Sequence, residues 1–207
     1  LGFRATAAKL TLVSLKDRGA SAVLTTDDTT YLGIALDNFA GDLIGLEDLL
    51  VFHAYGVDAG INSAKQNGAA ATKLNWKTFA TSSGLDISSE LTALNATSIG
   101  DLSAGVDLSI NGNVALDVLS GTLVATTAFD LKLGQVKSAV LPTPAQDADA
   151  MTLTLLGANV FLGSGGSLLD NNGGTATPAD YSDDTVKNGT LGFRATAAKL
   201  TLVSLKD

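Results

Sequence analysis

The sequence predicts an all-β fold: an elongated antiparallel β-meander or curled sheet, repeated as a solenoid-like stack, with little helix. Three observations carry this. Apolar and polar side chains alternate at period two over long stretches, which places one face of a strand in a core and the other in water. The segment LGFRATAAKLTLVSLKD starts at Leu1 and returns letter for letter at Leu191, an offset of 191 − 1 = 190 residues. Helix-favouring charged residues are scarce, with only 16% Asp, Glu, Lys and Arg, whereas glycine occurs 22 times.

The copied segment sets the domain organisation. Residues 1–190 read as one full repeat unit and residues 191–207 as the start of the next identical one. An exact copy points to a recently homogenised array, a quasi-one-dimensional object in which each unit mainly contacts its neighbours.

Taken in chain order, Leu10 and Leu12 begin the strand pattern, followed by Val23-Leu24 and Leu32 to Leu36. Gly41 to Leu50 has room for one helical turn, and Leu49 to Tyr55 reads as a strand. Asp86 to Asn95 has an acidic start and apolar Ile87, Leu91 and Leu94 at helical spacing, which favours a short helix over a polar strand. The clearest alternation runs from Val106 to Leu133. A turn around Ser120-Gly121 pairs Val118 with Leu123 and Leu116 with Ala125. A three-residue loop at Asn111-Gly112-Asn113 would pair Ile110 with Val114 and keep the apolar faces matched, giving a three-strand meander. Val106, Leu108, Ile110, Leu116, Val118, Phe129 and Leu131 are then expected to face one core. Pro142 and Pro144 mark a connection, Leu153 to Leu162 reads as a strand, and Gly163 to Gly189 is a long polar loop containing Pro178. A weaker sub-repeat follows from a leucine-glycine pair after a short strand at Leu162-Gly163, Leu191-Gly192 and Leu32-Gly33, with spacings of 191 − 162 = 29 and 32 + 190 − 191 = 31 residues. AMTLTLL from Ala150 shares the A-x-x-L-T-L skeleton of AAKLTLV from Ala7, and together they suggest copied hairpins of about thirty residues.

Charge and composition exclude several classes. With 21 acidic against 13 basic residues the net charge is −8, which repels a phosphate backbone and removes nucleic acid from the expected partners. The absence of cysteine removes disulfides, thiolate metal ligands and cysteine nucleophiles. No apolar run reaches the roughly 18 residues of a spanning helix. Hydrophobic residues make up 45%, too many for a disordered chain.

Catalytic signatures are missing. No G-x-S-x-G, H-E-x-x-H, G-x-G-x-x-G or P-loop pattern occurs. The single histidine, His53, sits in the strand-like LLVFHAYG and reads as a strand residue on a sheet face. Trp76 reads as packing, with sugar stacking as the alternative. The sequons at Asn95 and Asn188 read as chance matches. No catalytic or organic-cofactor residue is assigned, so the chain is not expected to be an enzyme.

The strongest candidate site is acidic. Asp170, Asn172, Asp180, Asp183 and Asp184 crowd the long polar loop, and Asp27-Asp28 precede Tyr31-Leu32-Gly33 much as Asp183-Asp184 precede Leu191-Gly192. Calcium takes six to eight oxygen ligands in irregular geometry, which suits such clusters. The other reading is a solvated loop that uses Asp and Asn for its turns. The spacing fits neither an EF-hand nor the calcium-binding nonapeptide.

The strings AMTLTLLGANVFLGSGGSLLD, DDTVKNGTLGFRATAAKLTLVSLKD, TTYLGIALDNFAGDLIGLEDLLVF and ALDVLSGTLVATTAFDLKLGQV resemble units of very large, highly repetitive bacterial surface proteins. The resemblance implies an extracellular, cell-surface, non-enzymatic and elongated protein of adhesin, filament or biofilm-matrix type. It carries no functional residue across. Two classes follow. The first is a structural repeat whose partners are neighbouring repeats, head to tail, with a cell-surface or matrix ligand elsewhere. The second is a β-module binding a glycan or an apolar ligand, which would need exposed aromatics among Tyr31, Tyr55, Tyr181 and Trp76.

Overall fold

The computed structural model describes residues 2–20, 26–46, 48–96, 99–100, 102–141, 146–169 and 178–206. It is all-β, as the alternation requires. The strands are β1 (Gly2–Asp17), β2 (Thr29–Ile44), β3 (Leu50–Gln66), the short β4 (Ala69–Ala70), β5 (Val106–Val118), β6 (Leu123–Lys137), β7 (Asp147–Ser164), β8 (Ser167–Leu169), β9 (Thr185–Lys187) and β10 (Leu191–Lys206). One helix, α1 (Ser88–Leu94), and a 3-10 turn at Pro178–Asp183 complete the described elements.

The main sheet is an open antiparallel meander in the order β1-β2-β3-β5-β6-β7-β10, with β4 beside β3. The two copies of the repeated segment are thus the two edge strands. Six antiparallel steps separate them, so they run in the same direction.

Directly opposed residues share a face of an antiparallel sheet, so the register identifies what each face carries. One row reads Leu10–Leu36–Ala59–Ile110–Leu131–Leu153–Leu202, and the next Leu12–Ile34–Ile61–Leu108–Leu133–Met151–Ser204. Near the other end of the strands, Phe52–Leu116–Ala125–Val160–Ala195 and Leu50–Val118–Leu123–Leu162–Phe193 lie on the same side. This apolar face is open. None of Leu108, Ile110, Leu116, Val118, Phe129 and Leu131 is buried. The sequence correctly groups these six side chains, but they do not enclose a core.

The core lies on the opposite face. The described residues of 71–105, between β4 and β5, fold back over β1, β2 and β3. Trp76, Leu91, Leu94, Ile99 and Leu102 cluster there with Val13 and Ala35, and Val106 packs against them. The sheet accommodates them with small residues: a Cβ on Gly33 would meet Leu94 and Trp76, and one on Gly60 would meet Ile99 and Leu102. Asn62 locks the layer. Its Nδ2 donates to the Leu74 and Ser103 carbonyls, both at 2.9 Å, and its Oδ1 accepts from the Trp76 indole N–H at 2.9 Å. Val106 therefore faces away from Leu108 and Ile110. The irregularity between Val106 and Leu108 inserts one residue into β5 and turns its first side chain to the covered side.

A line of irregularities crosses mid-sheet. Register shifts separate Leu36 from Gly41 on β2, Tyr55 from Asp58 on β3, and Thr126 from Ala128 on β6. Asn38, Gly56 and Gly157 have positive φ there, and the Asp58 carboxylate accepts the Asn38 N–H at 2.8 Å. This explains a second difference from the sequence reading. No loop forms at Asn111-Gly112-Asn113; β5 runs straight through, with Ile110 opposite Leu131 and Ala59. Gly112 is needed because the β3 bulge presses against it. A Cβ there would lie 2.7 Å from Val57 Cγ2 and 2.8 Å from Val57 Cα. The turn after Val118 keeps the expected register, Val118 opposite Leu123 and Leu116 opposite Ala125.

Gly41–Ile44, where a helical turn had room, continues β2, and Leu50 N–H bonding to Leu46 O makes one turn just beyond it. The expected helix at Asp86–Asn95 forms as Ser88–Leu94 with Leu91 and Leu94 buried. The polar stretch after Gly163 contains β8, the 3-10 turn and β9, and it covers the other half of the inner face, over Ala115, Val124 and Phe161. Val23-Leu24 and Pro142 and Pro144 lie outside the described residues.

Candidate functional site: the seam beside the repeated strand

The repeated segment is where sequence and structure converge, and β1 shows how it is held. Arg4 stands directly opposite Asp42 on β2, and His53 stands opposite Asp42 on β3. The Arg4 guanidinium grips the Asp42 carboxylate with both arms, Nε to Oδ1 at 3.0 Å and Nη2 to Oδ2 at 2.9 Å. Such a fork-to-carboxylate pair is charge-assisted and fixes geometry as well as energy. The 3-10 turn closes over this row. Tyr181 OH accepts from Arg4 Nη2 at 3.4 Å, and its ring stacks on His53 with centroids 3.7 Å apart and planes 9° apart. His53 Nδ1 and Asp184 Oδ2 share a hydrogen bond of 2.7 Å.

At the far end of β1, Lys16 Nζ pairs with Asp28 Oδ2 at 2.6 Å. Between the two ion pairs, Val13 enters the Trp76 cluster and Leu15 packs beside it. The strand is therefore held by a charge at each end and an apolar plug in the middle.

The second copy shows the same residues without a body beyond them. Val13 is 5% exposed and its counterpart Val203 is 61% exposed. Arg194, the counterpart of Arg4, contacts Asn159 Oδ1 at 3.3 Å. Identical sequence thus occupies two environments, and among the described residues only β1 has a covering layer.

The electrostatics of the Tyr181 pocket have a measurable consequence. Burial raises the Tyr181 phenol above its ordinary value, with Asp42 adding to the rise and Arg4 opposing it. Tyr55 is raised by burial and by the charges of Asp184 and Asp183. A phenol whose folded pKa is raised binds its proton more tightly when folded. Its stabilisation is complete below the free-tyrosine value of about 10 and is lost as pH rises through the folded value. Melting temperature is expected to decline above that pH, and Tyr55→Phe with Tyr181→Phe should flatten the decline. A decline of equal steepness in the double variant would contradict this assignment.

Of the acidic residues singled out in the sequence, those that are described fall in two separate places. Asp28 pairs with Lys16 beside one end of β2, while Asp184 sits on His53 opposite Asp42, thirteen positions along the strand from Thr29 and roughly 40 Å away at strand rise. The Asp27 carbonyl accepts from Gln66 Nε2 at 3.0 Å. Asp183 closes the 3-10 turn next to Asp184, its charge bearing on Tyr55. Asp170 and Asn172 lie outside the described residues, as does the side chain of Asp180. Among the described residues no group of three or more His, Asp or Glu side chains converges on a metal position.

His53 occupies a sheet face and Trp76 is packing, fully buried. The Arg4–Asp42 pair escapes sequence reasoning, because the two residues are 38 positions apart and meet only through the β1–β2 register. The usable signal is an arginine inside the copied segment. Chemically the cluster is a clamp: a buried carboxylate gripping a guanidinium, with an aromatic lid held by a His–Asp hydrogen bond. No family model, curated protein or solved structure matches the chain.

Proposed function

We propose that this chain is a non-catalytic structural repeat of a long extracellular bacterial surface protein, an adhesin stalk or a filament or matrix fibre, in which β10 of each unit serves as β1 of the next. The observation that carries the reading is the placement of the copied strand at both edges of one meander, running in the same direction.

The register supports it further. The row that leaves β1 at Leu10 reaches β10 at Leu202, the second copy of Leu12. The row from Arg4 by way of Asp42, His53, Ala115, Thr126 and Asn159 reaches Thr196, the second copy of Thr6. Both advance by two positions. An even advance keeps every side chain on its face, whereas an odd one would invert the sheet from one unit to the next. Adjoining units would then continue one sheet, with Arg194 and Lys206 of one unit taking the Arg4 and Lys16 positions against the next unit's Asp42 and Asp28. The seam residues become the joints of the fibre, and the solenoid-like stack expected from the sequence is a property of several units together.

Three of the four aromatics that the glycan-binding alternative would use are turned inward, and Tyr55 is half-buried. Trp76 is fully buried, Tyr181 is 5% exposed, and Tyr31 packs against the core.

Fibre diffraction from an aligned multi-repeat protein tests the proposal. Six strand spacings of about 4.8 Å give roughly 29 Å per repeat, and a two-residue advance tilts the strands about 13° from the perpendicular to the fibre axis. The expected pattern has a strong reflection near 4.8 Å close to the fibre direction. Units joined as separate beads would lack that orientation and refute the continuous sheet.

A further inference from the structure

The open face poses a separate problem. Along β5 it carries Leu108, Ile110, Gly112, Val114, Leu116 and Val118, and along β6 Leu123, Ala125, Thr127, Phe129, Leu131 and Leu133. No charged residue interrupts these rows. Ten residues of strand rise by six strand spacings give about 1,000 Å². Monomeric proteins rarely expose a contiguous apolar patch beyond roughly 300–600 Å².

We propose that this face is covered by the same face of a second copy, in sheet-on-sheet packing. Three features select this occupant. The area is about that of one partner's share in a stable interface, near 800 Å². The side chains are branched aliphatics and phenylalanine in period-two rows, the texture of the inner faces of a β-sandwich with sheets about 10 Å apart. The charges are confined to one rim, where Lys16, Lys65, Lys137 and Lys206 follow the apolar rows on their strands, with Asp147 opposite Lys137 and Asp149 opposite Lys206. A two-fold axis lying between the two faces and perpendicular to the strands sends these charged rims to opposite ends, so neither rim meets its copy.

A bilayer is the competing occupant, since the rows are long enough for a hydrocarbon layer. Lipid-facing sheets carry Trp and Tyr at their interfacial belts. Here Trp76, Tyr31 and Tyr181 all belong to the covered side, and Tyr55 stands opposite Asn113 there. The open face holds none of them.

The inference concerns side chains within one unit and does not depend on the tandem reading. Sedimentation of the 207-residue protein at micromolar concentration is expected to give twice the 20.9 kDa chain mass. Leu131→Glu with Leu153→Glu should halve that mass with unchanged far-ultraviolet circular dichroism. Ile61→Lys, at a position already 39% exposed, gives the same reading if the double variant misfolds. A wild-type monomer overturns the proposal. So does a dimer that survives these substitutions, which would be pairing through strand edges. Flotation with phosphatidylcholine vesicles, abolished by the same variants, would assign the face to lipid and also overturn it.

Discussion

Replacing Trp76 by alanine is expected to destabilise the protein by about 3–5 kcal/mol, the usual cost of removing a large buried aromatic. Trp76 is the largest fully buried side chain and the centre of the only cluster joining the 71–105 segment to the sheet among the described residues. The variant loses its packing against Val13, Leu94 and the Gly33 backbone. It also leaves the Asn62 Oδ1 without its indole donor inside the layer. A buried acceptor stranded in that way costs about 1–3 kcal/mol by itself. Trp76→Phe separates the two contributions, because it keeps most of the apolar contact and removes only the donor. Asn62→Leu is expected to be as damaging as Trp76→Ala, since it strands the Leu74 and Ser103 carbonyls together with the indole N–H. Urea unfolding followed by circular dichroism near 215 nm reads all three. A loss below about 1 kcal/mol in Trp76→Ala would mean that the 71–105 layer is an ornament on a sheet stable without it.

Much of the fold was legible because strands record their faces in period two. Leu108, Ile110, Leu116 and Leu131 declare their common side without reference to any partner. The pairing of Val118 with Leu123 followed from a turn and local alternation. Alternation also misled at Gly112. Asn-Gly-Asn reads as a turn when only its own strand is considered, and the true reason for the glycine, a bulge at Gly56-Val57, lies on a strand about fifty-five positions earlier in the sequence. The sequence could not say which face would be covered, because the covering segments are polar and irregular. Residues 71–105 place their apolar side chains singly, and only the glycines and small residues of β2 and β3 mark where they land.

The L-T-L strings at Leu153 and Leu200 come to lie on neighbouring strands, a juxtaposition their similarity alone does not announce. Leu153 lies opposite Leu202 and Leu155 opposite Leu200, with Thr154 and Thr201 hydroxyls 3.4 Å apart. Asp28 and Asp184 stood out in the sequence as candidate oxygen donors, whereas the side chains they meet, Lys16 and His53, did not. Ion pairs across a sheet depend on register, and register is a sum of every turn and bulge between the partners.

Deleting residues 1–17 is expected to turn the protein into a head-to-tail polymer. The deletion uncovers the β2 edge, and with it Asp42, Asp28 and the slot that held Val13. Each molecule still carries, as its last strand, the sequence that fits this edge. Arg194 can meet Asp42 of a second molecule, Lys206 its Asp28, and Val203 its Trp76 cluster, all in the β1–β2 register. The contact joins unlike surfaces, so it does not close on itself, and growth continues at both ends. Sedimenting mass should rise with concentration, and the free peptide LGFRATAAKLTLVSLKD should stop growth by capping β2. Where the shortened chain unfolds instead of polymerising, the peptide should restore its β-sheet spectrum. Asp42→Ala removes a charge-assisted fork worth about 1.5–3 kcal/mol. That corresponds to roughly ten- to hundredfold weaker docking of the strand. The test is independent of the open face: variants at Leu131 and Leu153 should leave this growth intact while abolishing face pairing. A shortened chain that stays a folded monomer at every concentration, and ignores the peptide, would show that β2 does not need the strand and that the repeated segment is no joint.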